Sequence, residues 1–228
     1  MTANLNFIIP AKTSSSRVKN KNWREFAFGK SLVDITLDKI LDYGADKKNV
    51  FISCEDISKE QYCKNRGVNF LLRDKSQCDN DFSVQTLLRN ICDQVKDDKD
   101  IAYSQVCDPF FDDYKNCLDL WDEVKQKGHD SLVVCHAHKM YLMDSESRPI
   151  GWSFGSHHTK SQDLPIFRTM PFTLSALTRD SVNQSGYHVG SNPYWYESSR
   201  RNIDIDTEED FRLAQIIYSE LIPPERKL

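Results

Sequence analysis

Lys12, Arg17, Lys19 and Lys21 crowd into the stretch Ala11 to Asn22, directly after the apolar run Leu5-Asn-Phe-Ile-Ile-Pro10. The run reads as a buried strand, so the cations gather just past a strand end. In an open α/β sheet that edge is where ligands sit. Cations and backbone N–H groups together would hold a polyanion there, most simply a nucleoside triphosphate. A solvated basic turn has the same composition, and both readings stay open on spacing alone.

A second cluster lies near the other end, in Asn202-Ile-Asp-Ile-Asp-Thr-Glu-Glu-Asp-Phe211. If Asn202 to Asp206 is extended, Asp204 and Asp206 project to one face and Ile203 and Ile205 to the other. Two carboxylates at a strand end suit a hard divalent cation bound through oxygen. A half-exposed strand with a polar outer side gives the same pattern. Thr207 with Asp210 reads as a capping box that starts a final helix.

Other chemistry-bearing residues also fall at strand ends. Arg73 can serve a base or a phosphate, or form a surface ion pair. Gln105 can bond a ribose or a sugar, or cap its strand. Asp108, before Pro109, suits either a metal or a turn. His157 and His158 are adjacent and cannot converge on one metal from a regular element, so they read as an exposed loop. Tyr194-Trp-Tyr196 reads as an interface or arm core before a stacking platform. Neither a Walker A sequence nor a Gly-x-Ser-x-Gly elbow is present, so P-loop and α/β-hydrolase chemistry gain no support.

The elements that must carry these residues alternate as strand and helix. Helical spacing covers Ser31 to Tyr43, Ile57 to Arg66, Ser83 to Val95 and about Asp113 to Lys127, and returns from Glu208 to Leu221 with Pro223-Pro224 as its stop. Strands are expected at 49–53, 68–73, 100–106 and 131–136. This rhythm predicts an α/β fold, a largely parallel sheet with helices on both faces. From Ala137 to Arg201 it fails, and the stretch is expected to form a lid or arm extending from the sheet.

The chain has 228 residues and a net charge of −4. That length suits one domain whose core needs no staples. The negative balance argues against a general nucleic-acid binder. No apolar stretch is long enough to span a bilayer, and a signal-peptide pattern is missing from the N-terminus. A cytoplasmic location with no membrane partner is therefore expected. Seven cysteines, an odd number, are scattered without zinc spacing and read as reduced, packed thiols.

Ile8-Ile-Pro-Ala-Lys-Thr-Ser-Ser-Ser-Arg-Val-Lys-Asn-Lys-Asn22 resembles the N-terminal signature of the sugar-acid cytidylyltransferases, the acylneuraminate cytidylyltransferases and CMP-Kdo synthetases among them. The usual form is Ile-Pro-Ala-Arg-x-Gly-Ser-Lys-(Arg/Gly)-x-x-x-Lys-Asn. The resemblance continues in order through Gly29-Lys-Ser31, Leu71-Leu-Arg73, Gln105 to Pro109, Gln162-Asp-Leu-Pro165 and Asp204 to Phe211, with the sialic-acid branch nearer. It implies a Rossmann-like nucleotidyltransferase domain, a three-layer sandwich spanning 1–228 with a dimerisation or lid arm at about 137–201. It also implies Mg²⁺, a homodimer, and the joining of CTP to a sugar acid to give a CMP-sugar and pyrophosphate. Lys12, Lys21 and Asp206 would then be catalytic. Ala11, Lys12, Lys21, Asn22, Arg73, Ser83 and Gln105 would surround the nucleotide. Gln105 and Gln162 would meet the acceptor, and Asp204 with Asp206 would hold the metal.

The chain departs from the pattern at several places. Lys12 replaces the usual arginine and loses its planar fork. Ser14 replaces a glycine, a poorer fit if that position needs positive φ. Ser16 stands where lysine is frequent, Ser161 where arginine precedes Gln-Asp-Leu-Pro, and Met170-Pro-Phe-Thr-Leu174 where the branch reads Asn-Gly-Ala-Ile-Tyr. Three readings follow: an active enzyme for a nonulosonic or Kdo-like acid, a nucleotide-binding protein of the same fold that has lost catalysis, and a nucleotidyltransferase for another sugar or base.

Overall fold

The computed structural model describes residues 4–79, 81–199 and 203–221. Arg201 and Asn202, and the expected helix stop at Pro223-Pro224, lie outside the described residues. The first strand, β1 (Leu5–Pro10), is the expected apolar run. A short hairpin follows, β2 (Glu25–Ala27) and β3 (Lys30–Ser31). Its turn residues Phe28 and Gly29 both take positive φ, 54° and 74°, the geometry that matches strand twist in a tight hairpin. Ser31 then caps α1 (Leu32–Asp42) in a reciprocal capping box with Asp34.

The next units repeat strand and helix: β4 (Val50–Cys54), α2 (Lys59–Arg66), β5 (Asn69–Leu72), α3 (Val84–Cys92) and β6 (Asp100–Ser104). Gly67, at φ 74°, closes α2 as expected from sequence. The helix expected over 113–127 is two short ones, α4 (Tyr114–Asp119) and α5 (Trp121–Gln126). They meet at Leu120, next to Trp121, whose indole N–H donates to Asp100 at 2.9 Å. The remaining elements are β7 (Ser131–Lys139), β8 (Ile166–Thr169), β9 (Leu174–Leu177), α6 (Arg179–Ser185), β10 (Pro193–Glu197) and α7 (Glu208–Leu221).

The main sheet has the order β10-β7-β9-β6-β1-β4-β5, with β8 paired to β7. Strands β5, β4, β1 and β6 run parallel to one another, and β9 is antiparallel to both β6 and β7. Alternation along β1 builds two cores. Phe7 and Ile9 pack with α1, Trp121 and Phe211 on one face. Ile8 packs with Leu88, Ile91 and Val182 on the other. The chain is thus a three-layer α/β sandwich with a mostly parallel sheet, as expected.

The expected arm at 137–201 is only partly an arm. Its middle, between β7 and β8, leaves Met143 53% and Phe154 68% exposed. Leu174–Leu177, however, is fully buried within the main sheet, and Pro193–Glu197 forms the sheet's edge. An antiparallel strand needs no crossover helix, so β9 carries none of the alternation that marked the other strands. All seven cysteines are buried and unbridged. Among the described residues, no helix is long and apolar enough to cross a membrane.

Candidate active site

Four consecutive parallel strands deliver the candidate residues to one edge. Lys12 follows β1, Glu55 follows β4, Arg73 follows β5 and Gln105 follows β6. Strand β1 lies between β4 and β6, so chain connections leave it in both directions and open a crevice at its carboxyl end.

The loop after β1 is braced before it meets that crevice. Ala11 is buried, its N–H extends the ladder to Ser53 at 2.9 Å, and its carbonyl accepts from the Trp23 indole at 2.7 Å. The Asn22 amide donates to the Lys12 carbonyl at 2.9 Å. Asn20 takes the left-handed turn, at φ 51°, a conformation asparagine tolerates. Ser14 does not lie in that region, so serine in the signature glycine's place carries no backbone strain.

Of the loop N–H groups expected to help hold a polyanion, those of Thr13 and Ser14 donate to Glu55 Oε1 at 2.9 and 3.0 Å. Burial pushes the Glu55 carboxyl up. The hydrogen bonds from the Thr13 hydroxyl and the loop N–H groups outweigh this and bring it down to about 2.

The crevice encloses about 450 Å³, and Lys12, Arg17, Lys21, Arg73, Gln105 and Asp206 all line it. The two ends of the chain therefore share one cleft. Arg17 Nη2 pairs with Asp206 Oδ1 at 2.7 Å, and the Lys21 ammonium donates to the Ile205 carbonyl. Lys12 Nζ donates across the cleft to the Cys78 carbonyl at 2.8 Å.

The acidic segment is positioned by its apolar neighbours and its cap. Ile205 is fully buried, and its N–H donates to the Cys107 carbonyl at 3.2 Å. Asp210 accepts from the Thr207 N–H and hydroxyl, both at 2.7 Å, which confirms the capping box at the start of α7. Desolvation pushes the Asp204 carboxyl up. The Cys107 thiol opposes this by hydrogen bonding, the Asp206 charge adds to it, and Lys21 and Arg17 oppose it. The segment at 203–206 is irregular, not a strand.

Arg73 is the cleft's most unusual group. It is only 4% exposed, yet its Nε and Nη2 have no hydrogen-bond partner. Its ionic neighbour, Glu55 Oε2, stands 3.9 Å away. Buried guanidinium donors in a cleft wall call for an acceptor from outside the chain. Gln77 Oε1, on the same wall, is also unpartnered.

Four expected site residues, Ala11, Ser83, Gln162 and Asp204, are not among those lining the cleft, although Phe82 and Val84 on either side of Ser83 are. The Ser83 hydroxyl caps α3 by accepting from the Thr86 N–H at 3.3 Å. Gln162 lies in an exposed turn of the arm, where its carbonyl accepts from Lys139. Asp108 follows the turn reading: it accepts from the Phe110 N–H at 3.1 Å and from the Thr173 hydroxyl at 2.9 Å.

Sequence reasoning missed Tyr103 and His188. Their rings lie 4.8 Å apart in the cleft wall, and Phe172 and Tyr187 also pack on His188. Burial pulls the imidazole down to about 4, so it is neutral at physiological pH. A single histidine in a loop between a helix and an edge strand gives no signal of its own. Only the adjacent Tyr187 hinted at packing.

Fold and cleft together define a nucleotidyltransferase-like α/β protein. The cytidylyltransferase family model matches residues 6–108. Curated N-acylneuraminate cytidylyltransferases from three Streptococcus agalactiae strains are each 22% identical over 217 residues, covering 90% of this chain and 51% of theirs. The chain spans about half the length of these relatives. A structure of CMP:2-keto-3-deoxy-manno-octonic acid synthetase complexed with CTP superposes with a TM-score of 0.66 at 12% identity, over 96% of this chain and 100% of that one. A Bacillus anthracis protein described as a glucose-1-phosphate thymidylyltransferase gives 0.65 at 11% identity, over 98% of each chain. The chain is thus similar to the cytidylyltransferases over residues 6–108 and shares their fold, in keeping with the resemblance carried by the sequence motifs.

Proposed function

We propose that this chain transfers a cytidylyl group from CTP to a keto-sugar acid of the nonulosonic or Kdo-like class. The observation that carries the reading is the shared cleft, where Lys12, Arg17 and Lys21 meet Asp206 beside the unpartnered donors of Arg73. The family match, the curated relatives and a neighbour of the same fold solved with CTP support it.

In this reading Lys12, Arg17 and Lys21 neutralise the triphosphate, and Arg73 donates to the base. Gln105 meets the ribose or the acceptor. The acceptor's anomeric hydroxyl oxygen forms a bond to the α-phosphorus. The bond from that phosphorus to the bridging oxygen breaks, pyrophosphate leaves with the electron pair, and the hydroxyl proton passes to solvent. Such chemistry rests on alignment and charge neutralisation more than on covalent help. Asp206, which lines the cleft, and Asp204, two residues before it, offer the hard oxygen donors that suit a magnesium ion. When bound, the ion would offset charge developing on the phosphates. The exposed apolar surface of the arm suits a second copy of the chain, which supports a homodimer.

Pyrophosphate release with CTP, Mg²⁺ and a panel of sugar acids tests the activity, and parallel reactions with UTP, GTP and ATP test the base. Tight CTP binding without release from any acid would favour the non-catalytic alternative.

A further inference from the structure

The loop that carries Lys12 is held from behind. The Thr13 and Ser14 N–H groups and the Thr13 hydroxyl converge on Glu55 Oε1, at 2.9, 3.0 and 2.7 Å. The other carboxylate oxygen, Oε2, accepts from the Cys54 thiol at 3.6 Å and stands 3.9 Å from Arg73 Nη2. Glu55 is 9% exposed. With Thr13 and Ser14 it lines a neighbouring hollow and not the cleft itself. One carboxylate, at the end of β4, therefore joins the loop after β1 to the wall after β5.

Two opposite roles follow from such contacts. A carboxylate on loop N–H groups can be a resident competitor that an incoming phosphate must displace. It can instead be a strut that fixes the loop while phosphate binds on the other side. The two roles differ in where the N–H groups point. Thr13 and Ser14 turn theirs toward Glu55, in the neighbouring hollow, whereas Lys12, Arg17 and Lys21 border the cleft.

We infer that Glu55 is the positioning residue of the polyanion loop, holding Lys12 and Arg73 in register from behind so that side-chain cations, not the Thr13 and Ser14 amides, meet the phosphates. The inference rests on the nucleotide reading above and deepens it. Fixing the loop before the ligand arrives removes an ordering cost from binding. The strut works through charge-assisted hydrogen bonds, which are roughly twice as strong as neutral ones. Glu55→Gln keeps the shape and an acceptor but loses that charge.

The test uses inorganic tripolyphosphate, which carries the phosphate charge without base or sugar. In calorimetric titrations, Glu55→Gln is expected to bind it about tenfold more weakly than the wild type. Hydrogen exchange on the wild type gives a second readout that needs no variant. The Thr13 and Ser14 amides should be protected without ligand and unchanged when tripolyphosphate saturates the protein. A merely structural role would lower the melting temperature of Glu55→Gln and leave the tripolyphosphate affinity of the folded protein unmoved. Equal or tighter binding by Glu55→Gln overturns the inference while the nucleotide reading stands. So does new protection of the two amides on adding tripolyphosphate. A wild type that binds neither tripolyphosphate nor CTP sinks both.

Discussion

Replacing Arg73 by methionine separates recognition from stability. Methionine keeps much of the side-chain length and removes every donor. The two unpartnered groups, Nε and Nη2, are the ones a ligand acceptor would engage. A hydrogen bond to a charged group contributes ~1.5–3 kcal/mol, so losing about 2 kcal/mol should weaken cytidine binding roughly thirtyfold. The fold should tolerate the change. Arg73 sits 3.9 Å from Glu55, and the Glu55 carboxyl is held low by its bonds from Thr13 and Ser14, which the substitution leaves in place. The melting temperature is therefore expected to hold or rise, because a buried guanidinium with unsatisfied donors is removed. Titrating cytidine, CTP and tripolyphosphate into both proteins reads out the result. Cytidine and CTP should lose affinity together, with tripolyphosphate nearly unchanged. Equal cytidine affinity in the two proteins, or a loss confined to tripolyphosphate, would refute the reasoning.

Three other outcomes are expected. Asp206→Asn should lower turnover with CTP and divalent ion by about two orders of magnitude or more, yet keep metal-free CTP affinity within about threefold; equal losses in both would give Asp206 a structural role. His188, pulled down to about 4 by burial, titrates near ~6.5 when unfolded. The unfolded state thus binds more protons between those values, so this stabilising contribution is full above about 6.5 and declines as pH falls toward 4. His188→Phe should flatten that limb of the stability curve, on the order of 3 kcal/mol between pH 7 and 4 in urea melts, and parallel curves would contradict it. The proposed homodimer should appear in sedimentation of the wild type and dissociate in Tyr141→Ser with Phe154→Ser; a monomeric wild type would refute the dimer, and an unchanged dimer in the variant would move its interface off the arm.

What sequence disclosed and what it hid follow from how each feature is encoded. Strand β1 was legible because its apolar run is buried on both faces. Helix α1 was legible because Ser31 and Asp34 cap it and an apolar stripe faces the core. The shared cleft could be anticipated from the Lys12–Lys21 loop and the Asp204–Asp206 pair, since both were expected at strand ends. Strand β9 was hidden by its brevity, Leu-Ser-Ala-Leu, and by its antiparallel course. Ser83 was ambiguous because a hydroxyl at a helix start serves as a cap as readily as a ligand contact, and here it caps α3 between two residues of the cleft lining. Glu55 and His188 were hidden for a common reason: their meaning comes from partners distant in the chain, Thr13 and Ser14 for one, Tyr103 and Phe172 for the other. No local pattern encodes such a pairing.

The two regions of the cleft differ in how they are satisfied before a ligand arrives, and this assigns them different work. At the proposed phosphate end the three cations that line the cleft already have partners: Arg17 on Asp206, Lys21 on the Ile205 carbonyl, Lys12 on the Cys78 carbonyl. The Arg17 side chain is 67% exposed, and an ion pair so open to water contributes only ~0–1 kcal/mol, so phosphate can replace its partner at little cost. Such an exchange yields affinity that weakens with salt and tolerates many polyanions. On the Arg73 wall nothing is exchanged. Its Nε and Nη2 donors are buried without a hydrogen-bond partner, and a ligand lacking a matching acceptor leaves them so, at a cost of ~1–3 kcal/mol for each group. Discrimination by unsatisfied buried donors is far steeper than discrimination by exposed charge. In the proposed reading the basic loop gathers the triphosphate, and the choice of what it is attached to falls to the wall that Glu55 would hold in register.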